Sequence, residues 1–287
     1  MKLLRFKGES GARLGVLTEA GIVPLDSLAD TFPTMLSIIA GGDAALAAVR
    51  ATVAAPKGLL PLDQVHLLAP IERPGKFLAI GLNYQKHADE AADLGAERPE
   101  KQLWFNKQTT CLAGPYDDID PGVSHAVDYE VEIAAIIGKP AKGVAASDAP
   151  AHVFGYTVAN DVTARDWQIH SPTYTVGKSF DTHGPIGPWI VTADEIGDPH
   201  NLRLRCWVND DLRQDANSSE MIFNLWQQIA YLSAAFTLEP GDILATGTPD
   251  GIGAAMNPRT FLKQGDVVRC DVEKIGTIQN RVASSAT

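Results

Sequence analysis

Apolar and polar positions follow two different periods along this chain, and the change from one to the other divides it into elements. From Lys2 to Leu25 they alternate in short runs, separated by Gly8-Glu9-Ser10-Gly11 and Glu19-Ala20-Gly21, as in strands joined by tight turns. Two helical stretches follow, near Thr34–Ala40 and Ala44–Ala55, and then a linker broken by Pro56, Gly58 and Pro61. Pro70-Ile71-Glu72-Arg73-Pro74 admits no regular element, so it separates a small N-terminal α/β domain, 1–70, from a larger domain, 71–287. In the larger part, strands are predicted at Phe77–Tyr84, Trp104–Lys107, Tyr129–Ala134, Phe154–Asn160 and Leu202–Val208. A helix is predicted over Gln85–Leu94, and Met221, Ile222, Leu225, Ile229 and Leu232 recur at helical spacing, predicting Glu220–Ala235 as the longest helix. Two glycine–aspartate turns, Gly241-Asp242 and Gly265-Asp266, each feed a further strand, so the fold class is a strand-dominated α+β.

Charge interrupts this pattern most sharply at Glu130 and Glu132, inside an otherwise apolar run. Strand side chains repeat every two residues, so both carboxylates share a face and repel unless a cation or proton lies between them. Asp161, at the end of the next strong strand, supplies a third oxygen donor for a hard divalent ion. The competing reading is the solvent face of an edge strand, with Asp161 capping a helix. A short helix over Val162–Gln168 would put Arg165 and Gln168 one turn from the carboxylates. His87 and Glu90 lie three apart on a predicted helix, where the carboxylate can orient the imidazole as a base, unless the two are an ordinary surface pair. Lys178 sits alone in a turn shaped by Gly177, Gly184, Pro185 and Gly187, near developing negative charge or merely in solvent. The polar stretch Asp93–Lys101 reads as a lid, and the glycine-rich Thr246–Gly253 as a loop with backbone N–H groups available.

Composition narrows the partners. A formal net charge of −11 over 287 residues argues against nucleic acid or an anionic membrane surface. Three scattered cysteines fit buried thiols in a reducing compartment better than a disulfide framework. No stretch reads as a membrane span or a secretory leader, so the expected location is the cytoplasm.

Taken in order, GLNYQKHADE, DYEVEIA, GYTVANDVTARDWQ, GKSFDTHGPIGP, the Asn-Asp turn with Gln214, and GDILATGTPDGIG resemble the fumarylacetoacetate hydrolase family from about Pro70 onward. The resemblance implies a mixed β-sandwich roll with peripheral helices, a homodimer, and Mg²⁺ (or Mn²⁺) held by Glu130, Glu132 and Asp161. It implies His87 with Glu90 as base, Lys178 as the catalytic lysine, and Arg165, Gln168, Gln214 and Thr248 around the substrate. Lys107-Gln108 departs from the lysine–proline pair of many relatives. The activity implied is hydrolysis of a C–C bond in a 2,4-diketo acid, such as L-2,4-diketo-3-deoxyrhamnonate or an acylpyruvate, giving pyruvate and a second acid through a stabilised enolate. Oxaloacetate decarboxylation, isomerisation of an unsaturated dicarboxylate, and binding of an oxo acid without turnover are the alternatives.

Overall fold

The computed structural model describes residues 1–93, 95 and 100–284. Its strands are β1 Lys2–Gly8, β2 Gly11–Thr18, β3 Gly21–Pro24, β4 Leu67–Leu68, β5 Phe77–Gly81, β6 Leu103–Lys107, β7 Leu112–Ala113, β8 Val127–Asp128 and β9 Val131–Ile137. They continue as β10 Val153–Asn160, β11 Thr163–Ala164, β12 Gly184–Thr192, β13 Arg203–Val208, β14 Asp211–Asn217, β15 Ile243–Ala245, β16 Val267–Val272 and β17 Gly276–Arg281. Helices are few: α1 Met35–Ala54, α2 Gln85–Asp93, α3 Arg165–Gln168, α4 Ala193–Ile196 and α5 Leu225–Ala235.

β9 and β10 are apolar almost throughout and buried on both faces, which places them at the centre of a mixed sheet ordered β3-β2-β1-β12-β10-β9-β15-β5-β6. Period two then sorts their side chains into separate cores. Val131, Ile133, Ala135 and Ile137 pack against a second, antiparallel sheet, β14-β13-β16-β17, through Leu204, Cys206, Val268 and Cys270. Ala134 and Ile136 face the other way, in the cluster that holds Met35, Ile38, Ile39, Ala45 and Val49 of α1. Glu132 shares the parity of Ala134 and Ile136 and ends that face, so the edge-strand alternative fails: β9 is central, and Glu132 is buried. β1 pairs with β12, so the N-terminal strands extend the same large sheet. All three cysteines are buried free thiols, with Cys206 and Cys270 facing each other across β13 and β16.

Three elements differ from the sequence expectation. The helix expected over Glu220–Ala235 begins only at Leu225, because the preceding backbone is engaged elsewhere: Met221 bridges Tyr84, and Ile222 and Phe223 donate to the backbone and side-chain oxygens of Asn83. The longest helical stretch is instead α1, in which the two expected helices lie on either side of a non-helical residue, Gly42, where φ is 52°. That 20-residue span is long and apolar enough by composition to cross a membrane, contrary to the expectation that no stretch is, and Met35, Ile38, Ile39, Ala45 and Val49 pack it on the large sheet. The helix expected over Val162–Gln168 shrinks to α3, since Thr163 and Ala164 pair with β8.

Candidate functional site

The acidic centre forms where the β9 and β10 ladder runs out. Glu130 precedes β9; its N–H is accepted by the Asn160 side chain (3.0 Å) and its carbonyl accepts from Asp161 N (2.9 Å). This side-chain splice keeps the strands in register across the irregular residues and turns Glu130, Glu132 and Asp161 toward one another. One oxygen from each lies within 4.8 Å of the others, and all three residues are buried. Glu132 accepts from Gly247 N (2.8 Å). Burial, then the charges of Asp161 and Glu130, raise its pKa well above the ordinary range, the signature of carboxylates crowded without enough positive charge. The buried Tyr84 hydroxyl has no hydrogen-bond partner among the described residues, and burial and then Glu132 raise its pKa. Three hard oxygen donors and an unsatisfied hydroxyl fit a partly hydrated divalent cation.

Three cations surround the triad. Lys178 Nζ donates to Glu130 Oε2 and Asp161 Oδ2, both at 2.8 Å, with 2% of the residue exposed. Burial alone would discharge this lysine, but Asp161 and Glu130 outweigh it and raise its pKa. Arg165 donates to Asp128 (2.9 Å), pairs with Glu130 Oε1 (2.7 Å) and donates to Gln168 (3.2 Å). Burial would raise the Glu130 pKa; Lys178, Arg165 and His87 reverse this and bring it down to about 2. The third cation is Lys107, which the sequence places at the end of a strand without a role at the site. Its wholly buried ammonium donates to Asp161 Oδ1 (2.6 Å), to Val162 O (3.4 Å) and to the Lys178 carbonyl.

A cavity of about 460 Å³ opens above this floor, lined among others by Glu130, Lys178, Arg165, Gln168, His87 and Thr248. His87 Nδ1 lies 3.4 Å from Glu90 Oε2, and Glu90 Oε1 accepts from Gly251 N (3.0 Å). The glycine-rich loop therefore grips Glu132 at Gly247 and Glu90 at Gly251. At Gly251, φ is 96° and a Cβ would collide with the Arg213 carbonyl, so only glycine follows this path without strain. Gln214 lies beneath the floor: it accepts from Val131 N (3.0 Å) and donates to Thr248 Oγ1 (2.9 Å) and Pro249 O (2.8 Å), outside the cavity lining. Asp128, also missed, binds Arg165 and the N–H groups of Gly253 and Ala254. Its position just before the alternating Glu130 and Glu132 was the available signal. Within the expected lid, Leu94 and Ala96–Pro99 lie outside the described residues.

Residues 76–283 match the fumarylacetoacetate (FAA) hydrolase C-terminal family, and residues 1–70 match the Rv2993c-like, N-terminal family. The chain is 41% identical over 290 residues to the mitochondrial oxaloacetate tautomerase FAHD2B of Bos taurus, covering 98% of this chain and 91% of that protein. Among solved structures it resembles maleylpyruvate hydrolase from Sphingobium sp. SYK-6, seen with manganese(II) and pyruvate, at a TM-score of 0.84 and 33% identity, covering 99% of this chain and 100% of that one. It also resembles fumarylacetoacetate hydrolase from Exiguobacterium antarcticum at a TM-score of 0.86 and 34% identity, covering 99% of each chain. With its fold, its buried acidic triad and these likenesses in agreement, this chain belongs to the fumarylacetoacetate hydrolase family of enzymes.

Proposed function

We propose that this protein interconverts the keto and enol forms of a short 2-oxo acid, oxaloacetate foremost, with Mg²⁺ or Mn²⁺ held by Glu130, Glu132 and Asp161. The observation that carries the reading is the buried Lys178 ammonium, fixed at 2.8 Å from both Glu130 and Asp161 on the floor of a cavity whose wall holds His87. When bound, the cation supplies Lewis-acid polarisation of the 2-oxo group. With Nδ1 toward Glu90, His87 has Nε2 free to remove a proton from C3 and return it to the enolate oxygen, so the reaction is a net isomerisation. Lys178 places positive charge where the enolate develops, and Lys107 holds the Lys178 carbonyl and Asp161 from below. Arg165 and Gln168 orient the substrate carboxylate from α3, while Thr248 and Gln214 fix the floor.

The sugar-acid hydrolysis favoured by the sequence falls behind this reading, because a relative 41% identical over 98% of this chain is named for oxaloacetate. Hydrolysis of an acylpyruvate stays as the second reading, favoured by the His87–Glu90 pair, which can also activate water, and by the likeness to maleylpyruvate hydrolase. The test follows decay of enol-oxaloacetate absorbance and release of pyruvate, with Mg²⁺ and after chelation. Tautomerisation should depend on the metal and fall ~10²- to 10⁴-fold in His87→Ala. Equimolar pyruvate and a second acid from an acylpyruvate, with no acceleration of tautomerisation, would replace it with the hydrolytic reading.

A further inference from the structure

Among the described residues, the cavity contains one positive charge that the acidic centre does not use. Lys178 is engaged by Glu130 and Asp161, and Arg165 by Asp128 and Glu130. Arg259 lines the same cavity and has no ion pair or hydrogen bond from its side chain among the described residues. In a protein with 35 acidic and 24 basic side chains, an arginine without an acid at a cavity mouth is a vacancy for an anion.

The backbone that carries it is anchored on both sides of the cavity mouth. Thr260 N donates to Gly253 O (3.0 Å) and Leu262 N to Val127 O (2.8 Å), while Gly253 N donates to the Asp128 carboxylate (2.8 Å) that also binds Arg165. The loop carrying Arg259 is thereby tied to the arginine at the floor. Lys178 and Glu130 are buried and Arg259 is exposed, so the free guanidinium stands at the open end. Ile252 and Phe261 add apolar lining, which strengthens a charge pair formed there. Asp166 also lines the cavity; hydrogen bonds from Ser124 and His125 N hold it ionised, so an incoming carboxylate is repelled from that wall.

We propose that Arg259 is a specificity-determining residue that binds the distal carboxylate of a dicarboxylic 2-oxo acid while the 2-oxo acid end occupies the floor. This rests on the reading that the floor takes a 2-oxo acid.

The test compares Arg259→Gln and Arg259→Lys with wild type in the Mg²⁺-loaded full chain, using oxaloacetate and 2-oxobutanoate, which lacks the terminal carboxylate. Arg259→Gln should raise KM for oxaloacetate about 10- to 100-fold, the worth of one charge-assisted hydrogen bond, with kcat changed less than about twofold. Proton–deuteron exchange at C3 of 2-oxobutanoate should be unaltered, and Arg259→Lys should recover most of the loss. Equal losses on both substrates, or no change on either, would overturn the assignment. If wild type does not turn over oxaloacetate, the functional reading fails separately. Calorimetric titration with 2-oxoglutarate against 2-oxobutanoate then decides: loss of the dicarboxylate preference in Arg259→Gln upholds the role, and an absent or unchanged preference rejects it.

Discussion

Lys107 offers the sharpest test of how the acidic floor is held. Its side chain is 0% exposed, and its ammonium serves one carboxylate oxygen and two carbonyls. Lys107→Met keeps the unbranched shape and removes the charge. Asp161 retains Lys178 on its other oxygen but loses the 2.6 Å partner, and the Val162 and Lys178 carbonyls lose a donor. Breaking a buried pair costs about 3–5 kcal/mol, and the surviving Lys178 contact argues for the lower end, about 3 kcal/mol. Unfolding entropy near 2.1 cal/mol/K per residue gives a chain of this length roughly 0.6 kcal/mol/K, so Tm should fall by about 5 °C. Scanning calorimetry in chelator isolates the protein's own contribution, and tautomerase assays with Mg²⁺ should show kcat falling as the Lys178 carbonyl loses its anchor. A Tm within 1 °C of wild type in chelator, together with unchanged kcat, would refute the argument that Lys107 neutralises the floor.

Two further outcomes follow from the charges. His183 is buried, donates through Nε2 to the Asp120 carbonyl (3.0 Å) and has no partner for Nδ1 among the described residues; burial, then Lys107, push its pKa down to about 3. The unfolded chain therefore binds the extra proton below about pH 6.5, so this contribution is complete above that pH and is lost as pH falls, by ~2 kcal/mol at pH 5. Denaturant unfolding at pH 7 and pH 5 should show a shallower pH dependence for His183→Gln, and an identical slope would dismiss the assignment. Glu132→Gln should weaken divalent-cation affinity at least ~100-fold, while leaving the chelated protein as stable as wild type or more so, because one crowded charge is gone. Manganese titration with thermal unfolding checks both halves, and unaltered affinity would remove Glu132 from the ligand set.

The central strands were legible because long apolar runs and period two are local properties, and Glu132 stands out for the same reason. Period two puts Glu130 in the strand, although the ladder breaks there and is carried across by the Asn160 side chain, a partner thirty residues away that no periodicity announces. The start of α5 lies later than its apolar spacing predicts because the expected first turn pairs with Asn83 and Tyr84, again a distant partner. Lys107 was illegible as a site residue for a related reason: β6 alternates in burial, and which buried position meets Asp161 is decided by how β6 lies against the rest of the sheet. Motifs revealed which residues carry charge. They did not reveal which charge answers which.

The pairing order of the large sheet also bears on how the protein acquires activity. Lys2 pairs with Val191, Phe77 with Ile243, and Ala134 with Ala245, so the strands that frame the acidic centre are joined to partners far along the chain. Each such pairing closes a long loop before any contact compensates for the lost entropy, which makes folding slow relative to a helical protein of equal length. Neither the N-terminal nor the C-terminal half of the chain contains all three carboxylates and the loop that grips Glu132. Activity regained during refolding should therefore rise together with completion of the whole sheet, with no functional intermediate before it.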